Sequence, residues 1–296
     1  MTIQPFCAAS PVHYASPIGQ NGPDLYVESA ELLAAHWPGV SFDTMSREDV
    51  EAFLDDYLSK RKASSALVRF RALQVFFGWM EREEFIEVSP MAKLRPPSVA
   101  EQPVPILTED ELQRLLKVTG GKSFEDRRDR AMLMVLIDCG LRVGELVGLK
   151  VDDVDLAVHD VVHVMGKGGR GRAVPFGHAT GQALDRYIRE RRRHKLASQP
   201  ATRDSLWLGN RGKAMTESGV AQMLRRRGAQ ADVANLRPHR FRHSTAHLLR
   251  VNGMDDDSLM RIMGWRSPQM LHRYGSSAGD QRASEAHRKF SPGDRL

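Results

Sequence analysis

Apolar residues recur at helical spacing along most of the chain, and one group of short β-branched runs interrupts them. Leu25, Leu32, Leu33 and Trp37 predict a first helix. Ser46, with Asp49 three residues on, makes a capping box that opens a second helix through Val50, Phe53, Leu54 and Tyr57. A third, over 64–80, carries Leu67, Phe70, Leu73, Phe76, Phe77 and Met80 as a stripe that reads as core rather than as a platform for stacking bases. A short turn of helix is expected before Val88-Ser89-Pro90. The pattern predicts a helical domain over 23–95, preceded by a Pro-, Ala-, Ser- and Gly-rich mobile tail over 1–22. Pro96, Pro97, Pro103 and Pro105 exclude a continuing helix, so 96–105 reads as a linker.

Beyond the linker the period changes. Thr108 and Glu111 form a second capping box, and 127–139 reads as a buried helix that Gly140 ends. Residues 154–156, 161–164 and 172–175 read as strands, the last two joined by a glycine-rich turn over 166–171. After Thr180 the pattern is helical, with breaks near 209–212 and at Asn252-Gly253. The predicted fold class is mainly α with a small antiparallel β-sheet: a helical N-terminal domain, then a mixed α/β domain over 106–296.

At 296 residues, 41% hydrophobic and 27% charged, the chain has the composition of a soluble protein with room for two cores. Its net charge of +6 is unevenly spread. Residues 1–100 hold nine basic against thirteen acidic side chains, net −4, and the remainder holds 34 against 24, net +10. A polyanionic partner is therefore expected mainly for the C-terminal two-thirds. Cys7 and Cys139 make neither a disulfide framework nor a zinc knuckle. With no stretch of membrane-span length and no signal pattern, a cytoplasmic protein is expected.

The candidate chemistry centres on 238–249. In a helix, His239, Arg242 and His243 stand at i, i+3 and i+4 on one face, and Pro238 suits the first helical position. Such a cluster near a helix N-terminus suits an oxyanion, most simply a phosphate; alone, it also reads as a solvated basic face. A zinc pair is disfavoured, because Arg240 stands where HExxH needs Glu and Arg242 would repel a cation. Lys167 sits in the turn Gly166-Lys167-Gly168-Gly169-Arg170-Gly171, which fails as a P-loop but suits a mobile lysine arm, or a plain solvated lysine. The basic runs 186–195 and Arg225-Arg226-Arg227 read equally as solvated faces or as phosphate contacts. Tyr57 and Tyr187 lie in helical stretches and read as packing, whereas Tyr274 lies near the chain end, nine residues past Trp265.

The order of these pieces closely resembles the tyrosine recombinase (phage integrase) family: Arg142 in Cys139-Gly140-Leu141-Arg142-Val143-Gly144-Glu145, then Gly166-Lys167-Gly168, His239-x-x-Arg242-His243, Gly264-Trp265 and Tyr274. The resemblance covers about 105–280, and the preceding helical domain is similar to the family's core-binding domain. It implies a two-domain, Xer-like site-specific recombinase whose 106–296 is the catalytic domain, and whose domains close on duplex DNA as a C-shaped clamp. It also implies roles for particular residues. Arg142 and Arg242 are the phosphate clamp, with Glu145 orienting the first. Lys167 is the hairpin lysine, His239 and His243 are the two histidines, Trp265 fills the position held by His or Trp, and Tyr274 is the nucleophile. Lys60, Arg61, Lys62, Arg69, Arg71, Arg170 and Arg172 are expected to face DNA.

The implied reaction is transesterification. Tyr274 attacks a scissile phosphate to give a 3′-phosphotyrosyl link and a free 5′-hydroxyl, and a second 5′-hydroxyl then releases the tyrosine. The bond energy is kept in the ester, so no ATP, metal or other cofactor is implied. The expected partners are double-stranded DNA, further copies of the chain in a tetrameric synapse, and accessory DNA-bending proteins. The segment 279–290 either docks on a neighbouring protomer or is a solvated tail. Little chain precedes the core-binding region, so no arm-binding domain is expected. Two alternatives stand beside this reading: topoisomerase IB-like strand cleavage without exchange, and a non-catalytic sequence-specific DNA-binding protein.

Overall fold

The computed structural model describes residues 22–99, 105–166, 169, 171–209, 213–268, 270–271, 287–288, 291 and 293–295. Residues 1–21 of the expected tail, residues 100–104 of the proline-rich stretch and most of 279–290 lie outside the described residues, and Gly22 already belongs to a helix. The chain divides into two compact units, Met1–Gln102 and Pro103–Leu296.

The first unit holds α1 (Gly22–His36), α2 (Arg47–Lys60) and α3 (Ala63–Arg82). The box before α2 closes in both directions: Ser46 Oγ accepts from the Asp49 amide, and the Asp49 carboxylate accepts from the Ser46 amide. Helix α3 supplies the core, with Phe70, Leu73, Phe76, Phe77 and Met80 buried against Tyr26 and Leu33 of α1 and Val50 and Phe53 of α2. Phe42 and Phe77 meet Phe76 edge-on at centroid distances of 5.0 and 5.3 Å, the arrangement that aromatic quadrupoles favour. The aromatic stripe is core, as expected. Leu32 is not. The buried row of α1 is Tyr26, Ala30 and Leu33, and Leu32 is turned about 100° from Leu33 into solvent. Nor does a turn of helix follow Met80. Residues 83–88 are turns and bends, and Glu84 at φ 59° takes the left-handed conformation that ends a helix.

The second unit contains α4 (Glu109–Val118), α5 (Phe124–Cys139), α6 (Val143–Gly148), β1 (Val154–Asp155), β2 (Val161–Met165), β3 (Gly171–Pro175), α7 (His178–Arg193), α8 (Glu217–Gln230), α9 (Pro238–Val251) and α10 (Asp256–Met263). The strands form an antiparallel sheet in the order β1-β2-β3, with Val162 opposite Val174 and Val164 opposite Arg172. Helix α5 is central, and its Ala131, Met132, Val135, Leu136 and Cys139 are fully buried. Helix α7 lies antiparallel to it. At one end Asp138 accepts from the Gly177 amide and the Thr180 hydroxyl, and at the other Arg127 pairs with Glu190 at 2.7 Å.

The helical reading after Thr180 needs correction. Between α7 and α8, the described residues of 194–209 and 213–216 form turns and isolated bridges, with Lys150 paired to Ser205 and Leu208 to Ala214. Arg191 is the cause. Its buried guanidinium donates to the carbonyls of Thr202, Arg203, Ser205 and Leu206, and so holds a loop against the helix end. Tyr187 completes that hold: its hydroxyl donates to Leu206 O and accepts from Leu208 N, both at 3.0 Å, and burial pushes the phenol up to about 12. It is a packing residue, as expected. The run Arg225–Arg227 is also largely structural. Asp129, fully buried, accepts from Arg226 at 2.8 Å, Arg227 at 2.9 Å and its neighbour Arg128 at 2.9 Å, tying α8 to α5.

Candidate active site

The site forms where three chain reversals meet. The first is the end of α5. Gly140 takes φ 58°, and a Cβ there would lie 3.0 Å from Met263 Cε and 3.2 Å from Thr245 Cβ, so both conformation and space require glycine. The chain then passes buried Leu141 to Arg142, which caps the N-terminus of α6. The Arg142 amide donates to Glu145 Oε2 and its guanidinium to Oε1, both at 2.9 Å. The Arg142 side chain remains 44% exposed.

The second is the sheet. Strand alternation puts Arg172 and Val174 on the inner face of β3. An arginine there needs a buried acceptor, and Glu145 provides one: Nη1 and Nη2 of Arg172 reach Oε1 and Oε2, each at 2.9 Å. Its Nε donates to Ile262 O at 3.1 Å. Burial by itself would raise the Glu145 carboxyl. The Arg172 hydrogen bonds, the Arg142 amide and the two guanidinium charges overcome that and hold it down at about 2. Glu145 is therefore a fixed anion.

The third is the α9–α10 hairpin. Pro238 starts α9, as the sequence predicts. Arg240 pairs with Glu111 at 2.8 Å, Ser244 Oγ accepts from the Leu107 amide at 2.7 Å, and Thr245 donates to Ile137 O at 2.8 Å. These contacts fix the rotation of the helix. His239 is left exposed, while Arg242 (1% exposed) and His243 (9%) turn inward, so one face carries all three but at different depths. Arg242 donates to Gly140 O at 2.8 Å and to Met263 O, and its Cζ stands 5.7 Å from the centre of the Trp265 ring, within cation–π range. Helix α10 ends at Gly264, φ 63°, where a Cβ would come within 3.1 Å of the Arg172 guanidinium. His247, one turn past His243, is pushed toward its neutral form by burial.

The structure thus brings together Arg142, Glu145, Arg242 and Trp265, adds Arg172, and sets His243, mostly buried, beside Arg242 on α9. Three guanidiniums against one carboxylate leave the cluster net positive, which suits an oxyanion. Lys167, Arg170 and Tyr274 lie outside the described residues.

Two of the residues expected to face DNA are engaged within their own unit. Arg172, partly buried, is a partner of Glu145, for the alternation reason above. Arg69 also turns inward, pairing with Glu28 at 2.7 Å and donating to Ser29 Oγ at 3.0 Å, so its charge joins α1 to α3. Lys60, Arg61 and Lys62 line a surface cleft of about 530 Å³ with Ser59 and Ser65 at the start of α3. Lys60 pairs there with Asp56 at 2.7 Å, and Arg71 is exposed on α3.

Sequence reasoning missed the Arg172–Glu145 fork and the Asp129 cluster. The first had a legible signal, since Arg172 shares a strand face with Val174. The second had none, because Asp129 lies 97 and 98 residues from Arg226 and Arg227 in the chain.

Residues 105–280 match the model of the phage integrase family. Tyrosine recombinase XerD of Ralstonia nicotianae is 33% identical over 270 residues, covering 88% of this chain and 85% of that protein. Tyrosine recombinase XerC of Oceanobacillus iheyensis is 31% identical over 251 residues, covering 83% and 80%. The same fold is found in the crystal structure of XerH site-specific recombinase bound to palindromic difH substrate, with a TM-score of 0.76 and 19% identity over 90% of this chain and 79% of that one. With more than half its length matched by the family model, and with Xer relatives above 30% identical over more than four fifths of the chain, the chain belongs to the phage integrase family.

Proposed function

We propose that the protein is a site-specific DNA recombinase that cuts and rejoins duplex DNA through a 3′-phosphotyrosyl intermediate on Tyr274. The observation that carries this reading is Arg242, bonded at once to Gly140 O and Met263 O beside Trp265. One guanidinium thereby joins the Arg142 turn, helix α9 and the Trp265 turn into a single cationic centre.

In this reading the Tyr274 oxygen forms a bond to phosphorus and the bond from phosphorus to the 5′-oxygen breaks. Arg142 and Arg242 stabilise the charge gathering on the non-bridging oxygens, each contributing roughly 3–4 kcal/mol by analogy with other oxyanion donors. Glu145 holds Arg142 in place and, being ionised across the neutral range, never competes for the reaction's protons. The Trp265 indole N–H is a donor with no acceptor function, suited to a phosphoryl oxygen. His243 takes the phenolic proton, because a tyrosine with its ordinary pKa of about 10 is a weak nucleophile at neutral pH. His239, exposed one turn earlier, contacts the phosphate, and Lys167 protonates the departing 5′-oxygen. A 5′-hydroxyl of a second strand then attacks phosphorus, and the tyrosine leaves.

The first unit binds the duplex on either side of the cut, using Lys60, Arg61, Lys62 and Arg71 against backbone phosphates. Four protomers form the synapse, with DNA-bending proteins as accessories, in the cytoplasm. Among the described residues no helix is long and apolar enough to cross a membrane. A two-duplex strand-exchange assay tests the reading. Joined products should form with the wild-type chain and be lost with Arg242→Lys, which keeps the charge but not the two-pronged donor. Nicking and relaxation without joined products would favour the topoisomerase-like alternative.

A further inference from the structure

At the end of α5 remote from Gly140 lies a cleft of about 520 Å³ lined by Lys122, Arg127, Arg130 and Arg186, with Gly120 and Gly121 along one wall. Arg127 and Arg130 stand at i, i+3 on α5, and Arg186 faces them from the antiparallel α7. Their charges are poorly compensated. Arg127 pairs with Glu190 at 2.7 Å, and Arg130 gives one nitrogen to Leu116 O at 2.7 Å. Lys122 and Arg186 are exposed and have no carboxylate partner among the described residues. Four cations therefore face one cleft, with Glu190 on Arg127 as their paired counter-charge; the Asp126 carboxylate against the Gly121 wall is taken by Arg227 at 2.8 Å. The arginines that hold this unit together behave differently: Arg128, Arg191 and Arg227 are buried and saturated with carbonyls or carboxylates.

We propose that this cleft is a second phosphate-binding site, which takes phosphate groups other than the one being cut. Like charges lining one concavity raise its potential, and an anion entering it relieves the repulsion. The site is not an extension of the catalytic centre. Thirteen residues of helix separate Arg127 from Gly140, about 20 Å at 1.5 Å per residue. The chemistry recognised is a row of closely spaced phosphates, supplied by DNA lying outside the cleavage site or by a free polyphosphate.

The test uses the full chain and the double variant Lys122→Glu, Arg186→Glu, whose two positions are exposed and unbonded; Arg186→Gln, which only neutralises, is the milder control. Three quantities are measured: affinity for tripolyphosphate, affinity for a 60-base-pair duplex across a salt series, and covalent trapping on a nicked duplex carrying the target. If DNA is the ligand, the slope of log K against log salt becomes shallower by roughly two for the 60-base-pair duplex, whether or not tripolyphosphate affinity also falls. If a free polyphosphate is the ligand, its affinity falls tenfold or more while the duplex slope is unchanged. In both cases trapping persists. The proposal is overturned if neither ligand distinguishes the double variant from wild type, or if trapping is lost in parallel, which would place the cleft in the catalytic fold itself. Absence of trapping in the wild type would count against the recombinase reading and leave the anion measurements to be read by themselves.

Discussion

Arg172 closes a two-pronged fork on Glu145, Nη1 to Oε1 and Nη2 to Oε2 at 2.9 Å each, while Arg142 holds the same carboxylate from the other side. Arg172 thereby links strand β3 to the carboxylate that holds Arg142. Its third nitrogen, on Ile262 O, extends the link to the chain just before Trp265. Arg172→Ala leaves Glu145 buried without its main partner and should destabilise the fold by about 3–5 kcal/mol. Arg172→Lys keeps a charge but not the fork, and should recover part of the stability while cleavage stays at least tenfold down. Urea unfolding read beside single-turnover cleavage separates the two effects; equal cleavage by Arg172→Lys and wild type would count against a positioning role.

The pH dependence follows from the same carboxylate. Glu145 has a folded pKa of about 2 against an ordinary 4.5, so it binds protons less readily folded than unfolded. Its contribution, about 3 kcal/mol, is fully present above pH 4.5 and is lost as pH falls toward 2. The stability gap between wild type and Glu145→Gln should therefore be widest at neutral pH and shrink through that window. Acid titration of urea midpoints for the two proteins checks it.

Gly264 is tested against Gly253. Both take positive φ, 63° and 92°, but a Cβ meets the Arg172 guanidinium at the first and nothing within 4 Å at the second. Gly253→Ala should cost only the conformational strain, about 1–2 kcal/mol. Gly264→Ala should match that in stability or exceed it, and alone should depress cleavage, because Arg172 must move.

Asp129 is the acid on which three arginines depend. Asp129→Asn removes the charge from a fully buried carboxylate that three arginines share and should cost about 3–5 kcal/mol in chemical denaturation. Arg226→Ala, at a half-exposed side chain, should cost no more than about 1 kcal/mol.

What the chain revealed beforehand follows from the range of the interactions. The capping boxes at Ser46 and Thr108, the stop at Gly140 and the start at Pro238 are settled within a few residues and were legible. The spacing of His239, Arg242 and His243 fixed their common face, but not that Arg242 is buried and His239 is exposed; Leu107, Glu111 and Ile137 decide that from across the fold. Basic residues were the least legible class. Arg69, Arg172, Arg191 and Arg227 look alike in sequence to Arg61 or Arg71, and only the acceptors brought to them by folding show that they are internal.

The central claim is that Tyr274 becomes covalently joined to DNA. The most direct measurement is to trap the full chain on nicked duplex carrying its target, digest the complex and locate the DNA-bearing peptide by mass spectrometry. The account predicts a single phosphotyrosyl peptide containing Tyr274, and no adduct from Tyr274→Phe despite nearly unchanged DNA binding. An adduct on another residue, or one that persists in Tyr274→Phe, would contradict it.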